Sequence, residues 1–338
     1  MSLHPAALAV GLLDLIAWAI FLAAGWRVLA ALPQWQPESA DVLQLRRERS
    51  LELVAFQGRW ITTLQAAALV ALVLGVSNLW TEIVPGAMCG TGVLQAMGTA
   101  GEQTLLFRGL ALLILYCGWT AERLARSDAR MRPSPIHGRL LLLAGPLMVL
   151  GTWTFIQAAA ALNGPEPVNC CAALYDQAGA AGWLSSAGSR VPSAIWAAAC
   201  FGGALATAFW GLLQYRKPHF GGNRIALVAA VMILAWAAAA FGGLKFVVAP
   251  YVFEILNHPC PWCFFLWDHH ALGFVLFGLP VWVIAETAAG MTVRGIGRQS
   301  GVPEGPVQAR LARAGLHIAI GAVLFAVAAA APMLLWYI

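Results

Sequence analysis

Residues Ile225–Val248 read IALVAAVMILAWAAAAFGGLKFVV, a run of 24 with a single charge, Lys245. About 20 apolar residues are enough to cross the hydrocarbon core of a bilayer as a helix. The run is not alone. Comparable stretches recur along the 338-residue chain, which is 60% hydrophobic and only 10% charged, whereas a soluble domain carries roughly 25% charged residues. The reading is an all-α, polytopic integral membrane bundle forming a single transmembrane domain over 1–338. About eight spans are expected, at 5–32, 60–84, 104–121, 140–162, 192–213, 225–248, 271–291 and 314–336. The polar linker 33–59, with Arg46-Arg47-Glu48-Arg49, is expected as an interfacial helix. The first apolar run has no basic residue before it and is read as a span, not a cleavable signal.

Charge placement sets an orientation. Seventeen of the 20 Lys and Arg fall on one set of alternate connectors, and only Arg108, Arg190 and Lys245 fall on the other side. Basic connectors stay on the cytoplasmic side, so both termini are expected outside. The net charge of +5 is spread beside apolar spans, which excludes a nucleic-acid partner and leaves the lipid bilayer as the main one. Ala, Leu and Trp are abundant and Arg outnumbers Lys, a bacterial style of composition. The expected location is therefore the bacterial inner (cytoplasmic) membrane, with Cys89, Cys170, Cys171, Cys260 and Cys263 on the periplasmic side. Disulfides form and persist in that compartment.

Chemistry concentrates just beyond the run that sets the fold, at Asn257-His258-Pro259-Cys260-Pro261-Trp262-Cys263 and Asp268-His269-His270. Pro261 suits the first position of a helix, and the apolar residues from Phe264 to Phe277 are expected to continue it. A helix N-terminus would then stabilise a thiolate at Cys260, leaving Cys263 as the resolving thiol. His270 would lie on the same helical face as Cys263, two turns on. Cys89 sits in a Cys-Gly-Thr-Gly turn whose glycines admit positive φ. Cys170 and Cys171 are adjacent, and a bond between neighbours is strained, so each is expected to face another connector. The three cysteine connectors are expected to converge.

Three functions fit these residues. The first is a membrane thiol-disulfide oxidoreductase or redox relay, in which Cys260 and Cys263 exchange with a pair drawn from Cys89, Cys170 and Cys171. Its partners would be a periplasmic thiol protein and, as membrane carrier, a quinone. Trp262 would wall off a flat ring or shield the disulfide; Lys245 would lower a cysteine pKa or attract an anionic quinone intermediate, against the plainer reading of a lysine that snorkels to the interface. The second is a soft-metal site for copper or zinc, held by Cys89, Cys170, Cys171, Cys260, Cys263, His258, His269 and His270, for storage or delivery to a metal carrier. The third is a non-catalytic subunit whose outer connectors are stapled by disulfides. The stretch Cys260-Pro261-Trp262-Cys263 resembles that of the membrane disulfide-forming enzymes and the vitamin K epoxide reductase class. Those proteins are smaller bundles that also combine a CxxC at a helix end with loop cysteines. Phe264 after Cys263 excludes c-type haem attachment.

Other polar residues carry less. Asp14 lies in the first span, where a carboxylate needs a partner. Asn78, Glu82 and Glu286 are read as helix-helix hydrogen-bonding groups, His137 and His219 as solvated loop residues, and Cys117 and Cys200 as small core residues.

Overall fold

The computed structural model describes residues 4–36, 41–127, 135–164, 166–168, 191–218, 222–254, 260–298 and 302–336. Of these, 87% are helical and none is in a strand. Among the described residues, eight helices are long and apolar enough to cross a membrane. They are α1 (Pro5–Gln34), α2 (Val42–Leu79), α4 (Thr99–Ala125), α5 (Pro135–Ala161), α6 (Ser193–Arg216), α7 (Gly222–Phe253), α8 (Gly273–Ile296) and α9 (Glu304–Leu335). A short helix, α3 (Gly90–Met97), falls between α2 and α4 in the chain. Large apolar side chains such as Leu15, Leu22, Leu205, Phe209 and Val281 point outward, as a lipid-facing surface requires.

Span number follows the apolar pattern, but several ends do not. The segment expected as a separate interfacial helix is the first part of α2. Gln44, Leu51, Val54, Ala55 and Gly58 are all buried, so one helical face continues through the charged residues and nothing breaks it.

The chain divides into two compact units. The first comprises Met1–Gly75, Met97–Pro165 and Thr292–Arg310. Its core is built from small and medium residues of α1, α2, α4 and α5, among them Ala17, Ala24, Ile61, Ala111, Leu141 and Met148. Lipid gives helices no hydrophobic reason to associate, so close packing and polar contacts must hold them. The polar contact here is Asp14. Arg108 donates from Nη1 to Oδ1 at 2.8 Å and from Nη2 to Oδ2 at 2.5 Å. Gln65 Nε2 also donates to Oδ1, at 3.2 Å. All three residues are at most 2% exposed. Asp14 thus has the partner it needs, and Arg108, expected on the outer side, is buried within its helix for that reason. His137, expected in a solvated loop, is buried. α5 starts at Pro135, and Gly58 of α2 and Gly118 of α4 leave room for the ring.

The second unit comprises Val76–Ala96, Glu166–Met291 and Leu311–Ile338. Trp236, Leu244, Phe264, Leu276, Val283 and Phe325 form its core together with Cys89, Cys200, Cys260 and Cys263. At Gly211 of α6 an added Cβ would come within 2.6 Å of the Gly315 carbonyl of α9, a backbone approach only glycine permits. Glu286 of α8 is buried and meets His317 Nδ1 of α9 at 2.9 Å, which is the helix-helix role expected of it.

Asp14→Ala should destabilise the first unit by about 3–5 kcal/mol, because it strands a buried guanidinium. Asp14→Leu combined with Arg108→Met should recover most of that loss. Unfolding in detergent, followed by circular dichroism, checks both. Equal stability of the single and double variants would contradict the role given to the pair.

Candidate functional site: a three-sulfur cluster

The site lies in the second unit and is assembled from two connectors. After α2 the chain turns through Trp80–Ala87, with Val84 N–H bonded to the Trp80 carbonyl and Ala87 N–H to the Val84 carbonyl. Gly86 takes φ +80°, and a Cβ there would strike the Val168 carbonyl. Cys89 follows, 2% exposed, and its carbonyl accepts the Gly92 N–H at 3.0 Å as α3 begins. Gly90 has no positive φ. Its missing Cβ matters for another reason, since that atom would lie 2.7 Å from the Trp262 ring. The glycine is a seat for the indole, which corrects the reading from turn geometry.

The second connector departs from expectation in its backbone. Pro261–Phe265 forms a 3-10 turn with Pro261 at its start. Leu266 then extends, with φ −66° and ψ 146°, before a second 3-10 turn over Trp267–His269. α8 begins only at Gly273. The CxxC therefore does not open a long helix, the macrodipole account of a Cys260 thiolate does not hold, and His270 shares no helical face with Cys263. Among the described residues, the three non-glycine positions with positive φ are Glu254, His270 and Ala271, at φ 56°, 55° and 50°. They bracket this stretch. Each such residue costs about 1–2 kcal/mol, so the surrounding packing holds the segment in a form it would not adopt locally.

That backbone brings three sulfurs together. Sγ of Cys260 is 3.4 Å from Sγ of Cys89, and the sulfurs of Cys89, Cys260 and Cys263 all lie within 4.8 Å of one another. Thr91 Oγ1 is 3.0 Å from the Cys260 sulfur. No described cysteine is in a disulfide. Cys260 is 0% and Cys263 6% exposed, under a cover of rings. Trp262 packs on Phe265 at 5.6 Å, Phe265 stacks on Phe277 at 5.4 Å, and Phe264 meets Phe253 at 4.8 Å.

The thiols are electrostatically unequal. Hydrogen bonds from the Cys263 and Cys89 thiols hold the Cys260 thiol well below its ordinary range. Burial opposes them, and the Thr91 hydroxyl and the Cys263 N–H add to them. Cys263 is pushed up, first by its bond to Cys260, then by Cys89 and burial. Cys260 is thus the most acidic thiol of the set, and local donors replace the helix dipole as the cause. Thr91 was not singled out in the sequence, although its place two residues after Cys89 is the signal that would have found it.

Lys245 is half-buried in a π-helical turn of α7, Leu244–Val248, with Nζ 5.0 Å from the Phe246 centroid. Trp262 covers the connector that carries Cys89. His269 packs on the Phe253 ring at 4.8 Å, His270 is exposed, and neither joins the sulfur group. Cys117 and Cys200 are buried in helices as expected. Cys170, Cys171, His258 and His219 lie outside the described residues. Val168, two residues before Cys170, donates its N–H to the Pro85 carbonyl at 2.9 Å, on the connector that carries Cys89.

The donor set predicts a pH profile. Alkylation of Cys260 by iodoacetamide should follow a midpoint below the roughly 8.5 of a free thiol. Thr91→Val should raise the midpoint, and Cys89→Ala should raise it further. Peptide mass spectrometry across a pH series checks this, and an unshifted midpoint in Cys89→Ala would contradict the assignment.

No family model matches the chain, and no curated protein and no solved structure is significantly similar to it.

Proposed function

We propose that the chain is a membrane thiol-disulfide oxidoreductase in which Cys260 is the exchanging sulfur and both Cys89 and Cys263 serve as its partners. The observation that carries this reading is the 3.4 Å approach of Cys89 to Cys260 within a three-sulfur group. A disulfide needs about 2.05 Å between sulfurs, so closure takes a shift of about 1.4 Å. A depressed thiol beside two others is what exchange requires.

The step balances without a further reagent. The Cys260 thiolate attacks one sulfur of an external disulfide, that S–S bond breaks, and the departing sulfur takes a proton. Cys89 or Cys263 then loses its proton and attacks Cys260 Sγ, which releases the second external thiol. The internal pair ends oxidised and the external disulfide reduced; the reverse sequence forms disulfides. The positive-inside distribution supports a centre at the periplasmic face of an inner membrane, and in this reading a thiol protein is the partner and a quinone the membrane-borne electron carrier.

The geometry changes what mutants should do. Cys260→Ser should reduce exchange with a thioredoxin-type partner to background. Cys263→Ser alone should retain exchange, because Cys89 can still resolve. Only Cys89→Ser with Cys263→Ser should accumulate a mixed disulfide. Exchange by Cys260→Ser at the parent's rate would sink the proposal.

A second reading rests on the same three sulfurs. Thiolates in a buried group suit Cu(I) or zinc, and a tetrahedral zinc site would need a fourth ligand. Purified protein carrying stoichiometric metal, with its thiols protected until chelation, would favour this reading. Metal-free protein with thiols open to diamide favours exchange.

A further inference from the structure

α2 ends in a π-helical turn, Gly75–Leu79. Such turns re-aim side chains and recur at functional sites. Asn78 lies in this one. Its Nδ2 donates to the Phe265 carbonyl at 3.0 Å and to Ser77 Oγ at 2.7 Å. Its Oδ1 accepts the Trp267 N–H at 3.0 Å. The carboxamide therefore grips the backbone on both sides of Leu266, at the extended residue between the two 3-10 turns. Both of its donors and its acceptor are engaged. Phe265 is two residues beyond Cys263, and Cys89 is eleven beyond Asn78. One side chain thus fastens the root of the first sulfur-bearing connector to the second.

The two sulfur contacts differ in what sustains them. Cys260 and Cys263 belong to one turn, so local geometry keeps them close. Cys89 and Cys260 are 171 residues apart, and only tertiary contacts can hold them together. We propose that Asn78 is a positioning residue that sets Cys89 against Cys260, and so selects which of the two partners Cys260 meets. This rests on the exchange reading for its functional meaning, but not for its geometry.

The test uses the full chain in detergent, with diamide as oxidant. Diamide takes two electrons and two protons from a thiol pair, becomes the hydrazine, and leaves one S–S bond. Peptide mapping gives the ratio of Cys89–Cys260 to Cys260–Cys263 linkages. In Asn78→Leu that ratio should fall about tenfold, the scale of one to two net hydrogen bonds. Asn78→Asp keeps only the acceptor and should move in the same direction; it serves if the leucine variant does not fold. An unchanged ratio overturns the role of Asn78. An equal fall in both linkages also overturns it, since that is general loosening. If the parent forms neither linkage, the exchange reading fails, and the alkylation profile of Cys260 still decides the inference. A midpoint raised in the Asn78 variants supports positioning, and an unmoved midpoint rejects it.

Discussion

The contact between Cys89 and Cys260 is the constraint on which the rest depends. Two sulfurs from connectors far apart in sequence are held at 3.4 Å with a third beside them. Nothing local brings them there. Trp262 must lie on Gly90, the chain must turn left-handed at His270 and Ala271, and aromatic rings must close over the group. A lone buried thiol would be a small apolar residue with no chemistry. Grouped, the same thiols hydrogen-bond one another, which holds Cys260 below its ordinary range and pushes Cys263 up.

The helices that deliver these connectors are irregular where they approach them. π-helical turns occupy Gly75–Leu79, Ala198–Gly202 and Leu244–Val248. The first leads toward Cys89 and the third toward Cys260. A regular helix repeats one set of directions, and an inserted residue lets a span end aim a side chain elsewhere. The first unit has a different logic. Its buried polar groups include the Asp14 carboxylate, bonded through both oxygens to the Arg108 guanidinium so that α1 is tied to α4, and no cysteine cluster accompanies the pair among the described residues.

Architecture was legible in the sequence because hydrocarbon thickness sets a length, and apolar runs can be counted against it. Asp14 announced a partner, though not Arg108, whose place inside α4 hides among apolar neighbours. Charge misled at 42–59, where buried small residues carry the helix through a basic segment. At the site, the residue types were legible and the backbone was not. Apolar residues after Cys263 suggested a continuous helix, but the chain extends at Leu266, where Asn78, 187 residues before Phe265, bonds the backbone on both sides. Such long-range bonds leave no periodic trace. Gly90 shows the same limit, since a glycine that admits a ring reads like one that admits a turn.

The most direct measurement is cross-linking of the reduced chain with dibromobimane, which fluoresces strongly only after it bridges two neighbouring thiols. The account predicts a fluorescent adduct that joins the Cys89 peptide to the Cys260 or Cys263 peptide and is lost in Cys89→Ser. Single labelling at Cys89, with no bridge to either residue in the folded protein, would contradict it.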